Sequence, residues 1–408
     1  MMRSTNQTGR RLSVFAPETL PFQGSPATTL GVELELQIVD RDSGELVPGA
    51  GRLLEASEEE HLDNVVGEFL LSMIEVKTDI CRNVSEVRES MFPTLRRVKT
   101  LAAALGYDLA MGATHPFSRA SMGAVSPDPR YQKIRKRQGW LAYQEAIFGL
   151  HVHVGVPDGE SAMGLINLLT PYLPHLLALS ANSPFWQGLD TEFASCRSAQ
   201  FRPSPHAGIP QHCCTWSDFC DYCHIQKECG ALESPKDIYW DIRPRHDLGT
   251  IEFRVCDAPA SLSTLLGLTS LVRCLVIDGL RILKERREVG HGDLAEIWMA
   301  AENKARAGRF GLAAEIVRRP GRSKQTLADD TAALIDRLMP VAQAAGEAEF
   351  LNLLKPVDIH DTGAERQRRL YRQTGSWTAV IEEMKGRWVQ EVEEALSPEG
   401  TPAEALVA

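Results

Sequence analysis

The chain contains no uninterrupted run of about 18 apolar residues, so no transmembrane helix is predicted. Positive charge is also scarce. The formal net charge is −10 over 408 residues, which argues against nucleic acid as a partner, because non-specific binding needs a basic footprint. Met1 to Arg11 carries basic residues with no apolar stretch behind them, which is not the pattern of a secretory signal. A cytoplasmic location is therefore the expectation, with no membrane partner. There is no Gly-x-x-x-x-Gly-Lys-Ser/Thr loop and no Gly-x-Gly-x-x-Gly after a strand, so neither a P-loop nor a Rossmann site is supported. A Gly-x-Ser-x-Gly nucleophile elbow is missing too.

Cysteine is present, in an odd count of nine. Cys213, Cys214, Cys220, Cys223 and Cys229 crowd together with His212 and His224. Cys220-x-x-Cys223 has zinc spacing, but the matching second pair is absent. Residues 217–232 read as a helix with Ser217 as N-cap, which places these thiols along helix faces. Buried or half-exposed thiols are expected there, as in a cytosolic enzyme.

With 43% apolar and 24% charged residues the chain can bury a sizeable core. Residues 1–26 are expected as a disordered tail, 27–396 as one domain, and 397–408 as a second tail. Strands are predicted at 29–40, 69–78 and 107–113, with a turn at Asp42-Ser43-Gly44 that folds back Glu45-Leu46-Val47. Helices are predicted at 85–105, 161–180 and 261–286. The segment 115–138, rich in Pro, Ser, Arg and Gly, reads as irregular chain over the surface or a cleft. Residues 191–210 read as a long loop holding Arg197, Arg202 and His206. The last third reads as helices at 293–305, 310–317, 324–345, 364–384 and 386–396. No internal repeat and no Pro/Gly-rich linker divides the chain. Strands run to about residue 257 without regular helix alternation, which predicts an α+β fold with a largely antiparallel sheet.

Three stretches carry the chemistry. Gly31-Val32-Glu33-Leu34-Glu35-Leu36, His151-Val152-His153-Val154-Gly155 and Ile251-Glu252-Phe253-Arg254-Val255 all alternate apolar residues with groups that bind metal or phosphate. Alternation at period two means strand, with the two sets on opposite faces. Glu33 and Glu35 then share a face at a spacing of about 7 Å, a repulsive pair unless cations sit beside them. Alone, such a pair is equally well a solvated edge. Glu75 lies on a similar strand beside Lys77, with Glu68 upstream; each taken alone reads as a surface or salt-bridged carboxylate. His151 and His153 on one face could ligate metal and donate to a phosphate oxygen. Glu252 and Arg254 pair a metal-type ligand with a forked phosphate binder, against the plainer reading of an ion pair. Tyr239-Trp240-Asp241-Ile242-Arg243-Pro244 is expected to form a hairpin with the Glu252 strand.

These segments resemble the glutamate–cysteine ligase type 2 family, which includes the YbdK-like carboxylate-amine ligases. The resemblance rests on Gly31–Glu35, Gly149–Gly155, Trp240–Pro244 and Gly249–Asp257, with support from Ser234–Tyr239, Glu302-Asn303, Arg306 and Gly311-Leu312, and covers roughly residues 28–390. It implies a glutamine synthetase-like catalytic fold, an antiparallel sheet forming an active-site funnel with helices packed outside. It implies that ATP phosphorylates a small-molecule carboxylate and that an amine displaces the phosphate. Glutamate and cysteine are the expected pair, giving γ-glutamylcysteine for glutathione biosynthesis, although another amine would serve. By the resemblance Glu33, His151 and Glu252 hold the Mg2+ that bridges the ATP phosphates. Glu35 and Glu75, with Glu68, hold a second Mg2+. Arg254 neutralises the transferred phosphate, His153 touches ATP, and Arg197 and Arg202 face the substrate. A homodimer is also implied. Many members read Gly-Val-Glu-Glu-Glu where this chain has Leu34; that position points to the other face, so the ligand pair survives.

Two other readings stay open at this point. A guanidino or phosphagen-type kinase on a related sheet would transfer phosphate without forming an amide. A non-catalytic metal- or thiol-binding protein would use the cluster at 212–229.

Overall fold

The computed structural model describes residues 19–119, 124–201, 206–285, 294–318 and 324–397. At its centre is a seven-stranded sheet: β1 (Leu30–Asp40), β2 (Val65–Gly67), β3 (Met73–Lys77), β4 (Tyr107–Ala110), β5 (Gly149–Gly155), β6 (Ile242–Arg245) and β7 (Thr250–Asp257). The strands run in the order β6-β7-β5-β1-β3-β2, and β4 also pairs with β1. All of these pairings are antiparallel. The expected α+β fold is therefore the one observed.

Alternation explains how the sheet is covered. Leu30, Val32, Leu34, Leu36 and Ile38 of β1 are buried on one face, as are Leu150, Val152 and Val154 of β5. That face packs under the helices Val84–Ala104 and Leu262–Glu285. One apolar core runs from Leu30 to Val392, so the helical last third shares it with the sheet. The opposite face is left for Glu33, Glu35, His151, His153 and Glu252.

Several local expectations change. The segment 115–138 is not irregular throughout: Pro129–Gln138 is a helix, started by Asp128, which accepts from Arg130 N–H, and by Pro129 in the first turn. Only Ile134 of this helix is buried, so it has no apolar stripe to reveal it. Cys196–Phe201 forms a short helix inside the expected loop 191–210. The helix expected at 310–317 is a short turn followed by Glu315–Ile316 pairing with Gln325–Thr326. The two helices expected at 364–384 and 386–396 are Gly363–Thr374 and Trp377–Ala395, divided earlier, where Gly375 takes a left-handed φ of 62° and Ser376 caps the next helix. Thr215, not Ser217, caps the helix Trp216–Glu228 through a capping box with Asp218.

Residues 19–26, expected within the tail, lie along the fold instead. Gln23 N–H donates to His246 O at 2.9 Å and Ser25 N–H to Val156 O at 3.1 Å. Trp216 Nε1–H donates to Leu20 O at 3.0 Å, and Phe22 meets the Trp216 ring edge-on. The rest of that tail and residues 398–408 lie outside the described residues. By length and composition Gly159–Ser180 is apolar enough to cross a membrane, which the absence of one uninterrupted apolar run concealed. However, 72% of its most apolar window is buried inside the fold, as in a core helix.

Candidate active site

Strand register brings the polar residues together in rows. Arg243 on β6 lies opposite Glu252 on β7, Glu252 opposite His153 on β5, and His153 opposite Gly31 on β1. In the next row His151 lies opposite Glu33, and Glu33 opposite Lys77. In the third, Glu35 lies opposite Glu75. A cavity of about 250 Å³ opens over this face. The helix Pro129–Gln138 contributes Arg130, Tyr131 and Ile134 to its wall, and Lys236 and Tyr239 close another side.

The β6–β7 end is basic. Glu252 is 0% exposed and accepts from three guanidinium groups. Arg243 donates through Nε at 2.7 Å and Nη2 at 3.3 Å, Arg245 through Nη1 at 3.5 Å, and Arg254 through Nη1. Burial alone would raise the pKa of this carboxyl, but Arg243 and Arg254 hold it well below the ordinary carboxylate range. Burial opposes charge on Arg254 as well, yet Glu252 keeps that guanidinium firmly protonated.

The β1–β3 end is acidic. Glu35 is pushed up to about 8 by burial and by the charge of Glu68. Glu75 is raised well above its usual range by burial and by Glu33, Glu68 and Glu35. Burial is also the main reason that Glu68 is raised, although Tyr131 donates to its Oε2 at 3.2 Å. Glu35 accepts from Gly149 N–H at 2.5 Å.

Between the ends lie the two histidines and Glu33. His151 Nδ1 is 3.1 Å from Glu33 Oε2, and His153 Nε2 is 3.4 Å from Glu33 Oε1. Burial works against charge on Glu33, but hydrogen bonds from His151 and His153 outweigh it and lower its pKa. Burial, with Arg254 nearby, lowers His151 to about 4, so its ring is neutral and able to ligate.

Among the described residues three groups bring potential ligand atoms within 4.8 Å of one another: Glu33 with His153 and Glu252, Glu33 with Glu75 and His151, and Glu35 with Glu68 and Glu75. Two observations fit a divalent cation here. His151 Nε2 is buried without a hydrogen-bond partner. The three carboxylates of the acidic end bring oxygens within 4.8 Å of one another, and carboxylate oxygens are what Mg2+ prefers.

The site therefore gathers Glu33, Glu35, Glu75, His151, His153, Glu252 and Arg254, all expected from the sequence. The grouping differs in one respect: His153, not His151, converges with Glu33 and Glu252, because it lies opposite Glu252 in the register. Arg197 also lines the cavity, whereas Arg202 lies outside the described residues. Arg243 and Arg245 also line the cavity and were not assigned from the sequence, although Arg243 alternates with Asp241 on a predicted hairpin strand. Arg130 and Tyr131 were hidden in the segment read as irregular. Among the described residues no cysteine of the cluster lines this cavity: Cys213, Cys220 and Cys223 are buried thiols, Cys214 is half-buried and Cys229 exposed.

The fold is shared with ligases of known structure. The glutamate–cysteine ligase (gshA) of Francisella tularensis, solved in complex with AMP, superposes with a TM-score of 0.63 at 14% identity, covering 95% of this chain and 91% of that one. The bifunctional glutathione synthetase of Pasteurella multocida gives 0.66 at 15% identity over 90% of this chain and 53% of that one. The chain belongs to glutamate–cysteine ligase family 2 (GCS2), whose model matches residues 29–394. The "Putative glutamate–cysteine ligase 2" of Gloeobacter violaceus is 37% identical over 372 residues, 90% of this chain and 98% of that protein. A protein of the same name, numbered 2-1, from Rubrobacter xylanophilus is 39% identical over 359 residues, 88% and 94% of the two chains.

Proposed function

We propose that this protein, an ATP-dependent ligase by family, joins a small carboxylic acid to an amine through an acyl phosphate, with L-glutamate and L-cysteine as the expected pair. One observation carries the reading: a single sheet face holds a guanidinium-rich end around Glu252 and a carboxylate-rich end around Glu35 and Glu75, joined by Glu33 and two histidines. The reaction moves the γ-phosphoryl group of ATP onto the substrate carboxylate and releases ADP. The amine nitrogen then attacks the acyl carbon, the C–O bond to phosphate breaks, and phosphate leaves with the amine's proton going to solvent or a carboxylate.

Such chemistry asks for positioning and charge stabilisation rather than a protein nucleophile. Arg243, Arg245 and Arg254 form a fixed positive field for the phosphates, already oriented by Glu252 before any ligand arrives. Arg254 has a buried Nε without a partner, a donor free for a phosphoryl oxygen. Glu33, His153 and Glu252 would hold one Mg2+ and Glu35, Glu68 and Glu75 a second, with His151 between them. Such ions, when bound, neutralise phosphate oxygens and make phosphorus more electrophilic. Tyr131 and Arg130 line the cavity wall.

The test is ATP-dependent phosphate release with Mg2+, L-glutamate and a panel of amines including L-cysteine, with products weighed by mass spectrometry. An amide with ADP supports the ligase and names the amine. No turnover across the panel, with Glu33→Ala and Glu252→Ala indistinguishable from wild type, sinks this reading for glutamate. A stable phosphorylated guanidino product without amide would favour the kinase instead.

A further inference from the structure

The wall of the cavity contains a guanidinium whose reach is toward backbone. Arg197 is buried, and it donates to Arg254 O at 3.2 Å and Val255 O at 3.5 Å. Both carbonyls belong to a bulge in β7, where pairing with β5 shifts between Phe253 and Cys256. A bulge leaves a residue outside the ladder and re-aims its side chain. An unpaired buried carbonyl is costly, and Arg197 supplies the missing donor. On the other edge Arg254 N–H donates to Asp241 O at 2.8 Å. The backbone of Arg254 is thus held from two sides.

Arg197 is itself fixed. Its Nη1 lies 4.0 Å from Asp257, which is 0% exposed. Asp257 accepts from Asn182 N–H at 2.9 Å, Ser183 Oγ at 2.7 Å and Ser195 Oγ at 2.8 Å. Gly149 makes room for the guanidinium: a Cβ there would lie 2.3 Å from Arg197 Nη2. The same glycine's N–H holds Glu35. Nη1 and Nη2, the two tips that would fork onto a carboxylate, each already donate to a β7 carbonyl, and Nε is buried without a partner.

We propose that Arg197 is a positioning residue, which sets Arg254 through the β7 bulge and does not itself bind the substrate carboxylate. This rests on the ligase reading above. The experiment compares Arg197→Met, Arg197→Lys and Gly149→Ala in the full-length protein. For Arg197→Met, kcat is expected to fall about 100-fold with KM for the carboxylate substrate within about twofold of wild type. Arg197→Lys recovers part of that loss, and Gly149→Ala, which displaces the guanidinium while leaving its charge, lowers kcat about 10-fold. In an Arg254→Met background, adding Arg197→Met costs less than about threefold, because the two act as one unit. A rise of more than about tenfold in KM with kcat retained, or fully additive losses in the double variant, overturns the proposal. A second readout needs no turnover: hydrogen exchange of the peptide 250–257 is faster in Arg197→Met while 262–285 is unchanged. If wild type makes no product, the ligase reading fails on its own, and equal exchange at 250–257 in both proteins overturns the brace.

Discussion

Glu252 and Glu35 lie on the same face of one sheet, both deeply buried, yet their acidities move in opposite directions. Burial raises both. At the β6–β7 end three arginines answer it, and Glu252 stays ionised. At the β1–β3 end the nearest strong influence after burial is another carboxylate, and Glu35 rises to about 8. One end supplies its own counter-charge and is electrostatically complete. The other is left short of positive charge, the condition under which an added cation binds best. A guanidinium-rich half and a carboxylate-rich half thus arise on one sheet face by exchanging the partners across the strands.

The most severe way to break this contrast is Glu252→Ala, which takes the anion from buried Arg243 and half-buried Arg254 and leaves Arg245 only Asp247. Removing one partner of such a group costs about 3–5 kcal/mol, to be read from urea unfolding, and product formation should vanish. Arg254→Met removes one guanidinium from the same end and should lower kcat by about 10²–10³-fold, with a smaller loss of stability.

The acidic end predicts the reverse dependence on pH. A carboxyl raised in the folded state binds more protons there than in the unfolded chain, so its stabilisation is full below its ordinary pKa and is lost as pH rises through the folded value. In chelator, stability should therefore fall between pH 5 and about 8 as Glu35 ionises. Excess Mg2+ should flatten that slope, and an unchanged slope would show that the acidic end takes no cation. His151, lowered to about 4, acts with the opposite sign, losing stability only as pH falls from 6.5 toward that value. Glu75→Gln removes a carboxyl that can ionise only against Glu33, Glu68 and Glu35: above about pH 8 the metal-free protein should be more stable by about 1 kcal/mol, while Mg2+ binding weakens about 10- to 100-fold by calorimetry. Tyr131→Phe is the mildest probe. It deletes the hydrogen bond to Glu68 and should cost about 1 kcal/mol and a few-fold in rate.

Much of the site could be read from alternation alone. Glu33, Glu35, His151, His153, Glu252 and Arg254 each sit in a strand whose apolar partners declare its facing, so their common face needed only the sheet to form. Arg130 and Tyr131 could not be read this way. Their helix is almost wholly polar outside Ile134, and it is held by contacts such as Tyr131 to Glu68 rather than by an apolar stripe. Residues 19–26 were equally silent, because Leu20 and Phe22 gain their meaning only against Trp216.

By itself the sequence determined which residues face the site, because side-chain direction in a strand follows from local period. It also determined the family, through segments whose order and spacing survive in the chain. Only the tertiary structure decided which histidine stands beside Glu252, which carboxylates are raised and which lowered, and that Arg197 is turned onto the Arg254 backbone. These depend on register, on a bulge and on charges brought from distant strands, and the strength of an electrostatic interaction is set by distance and burial, neither of which is a property of any one segment.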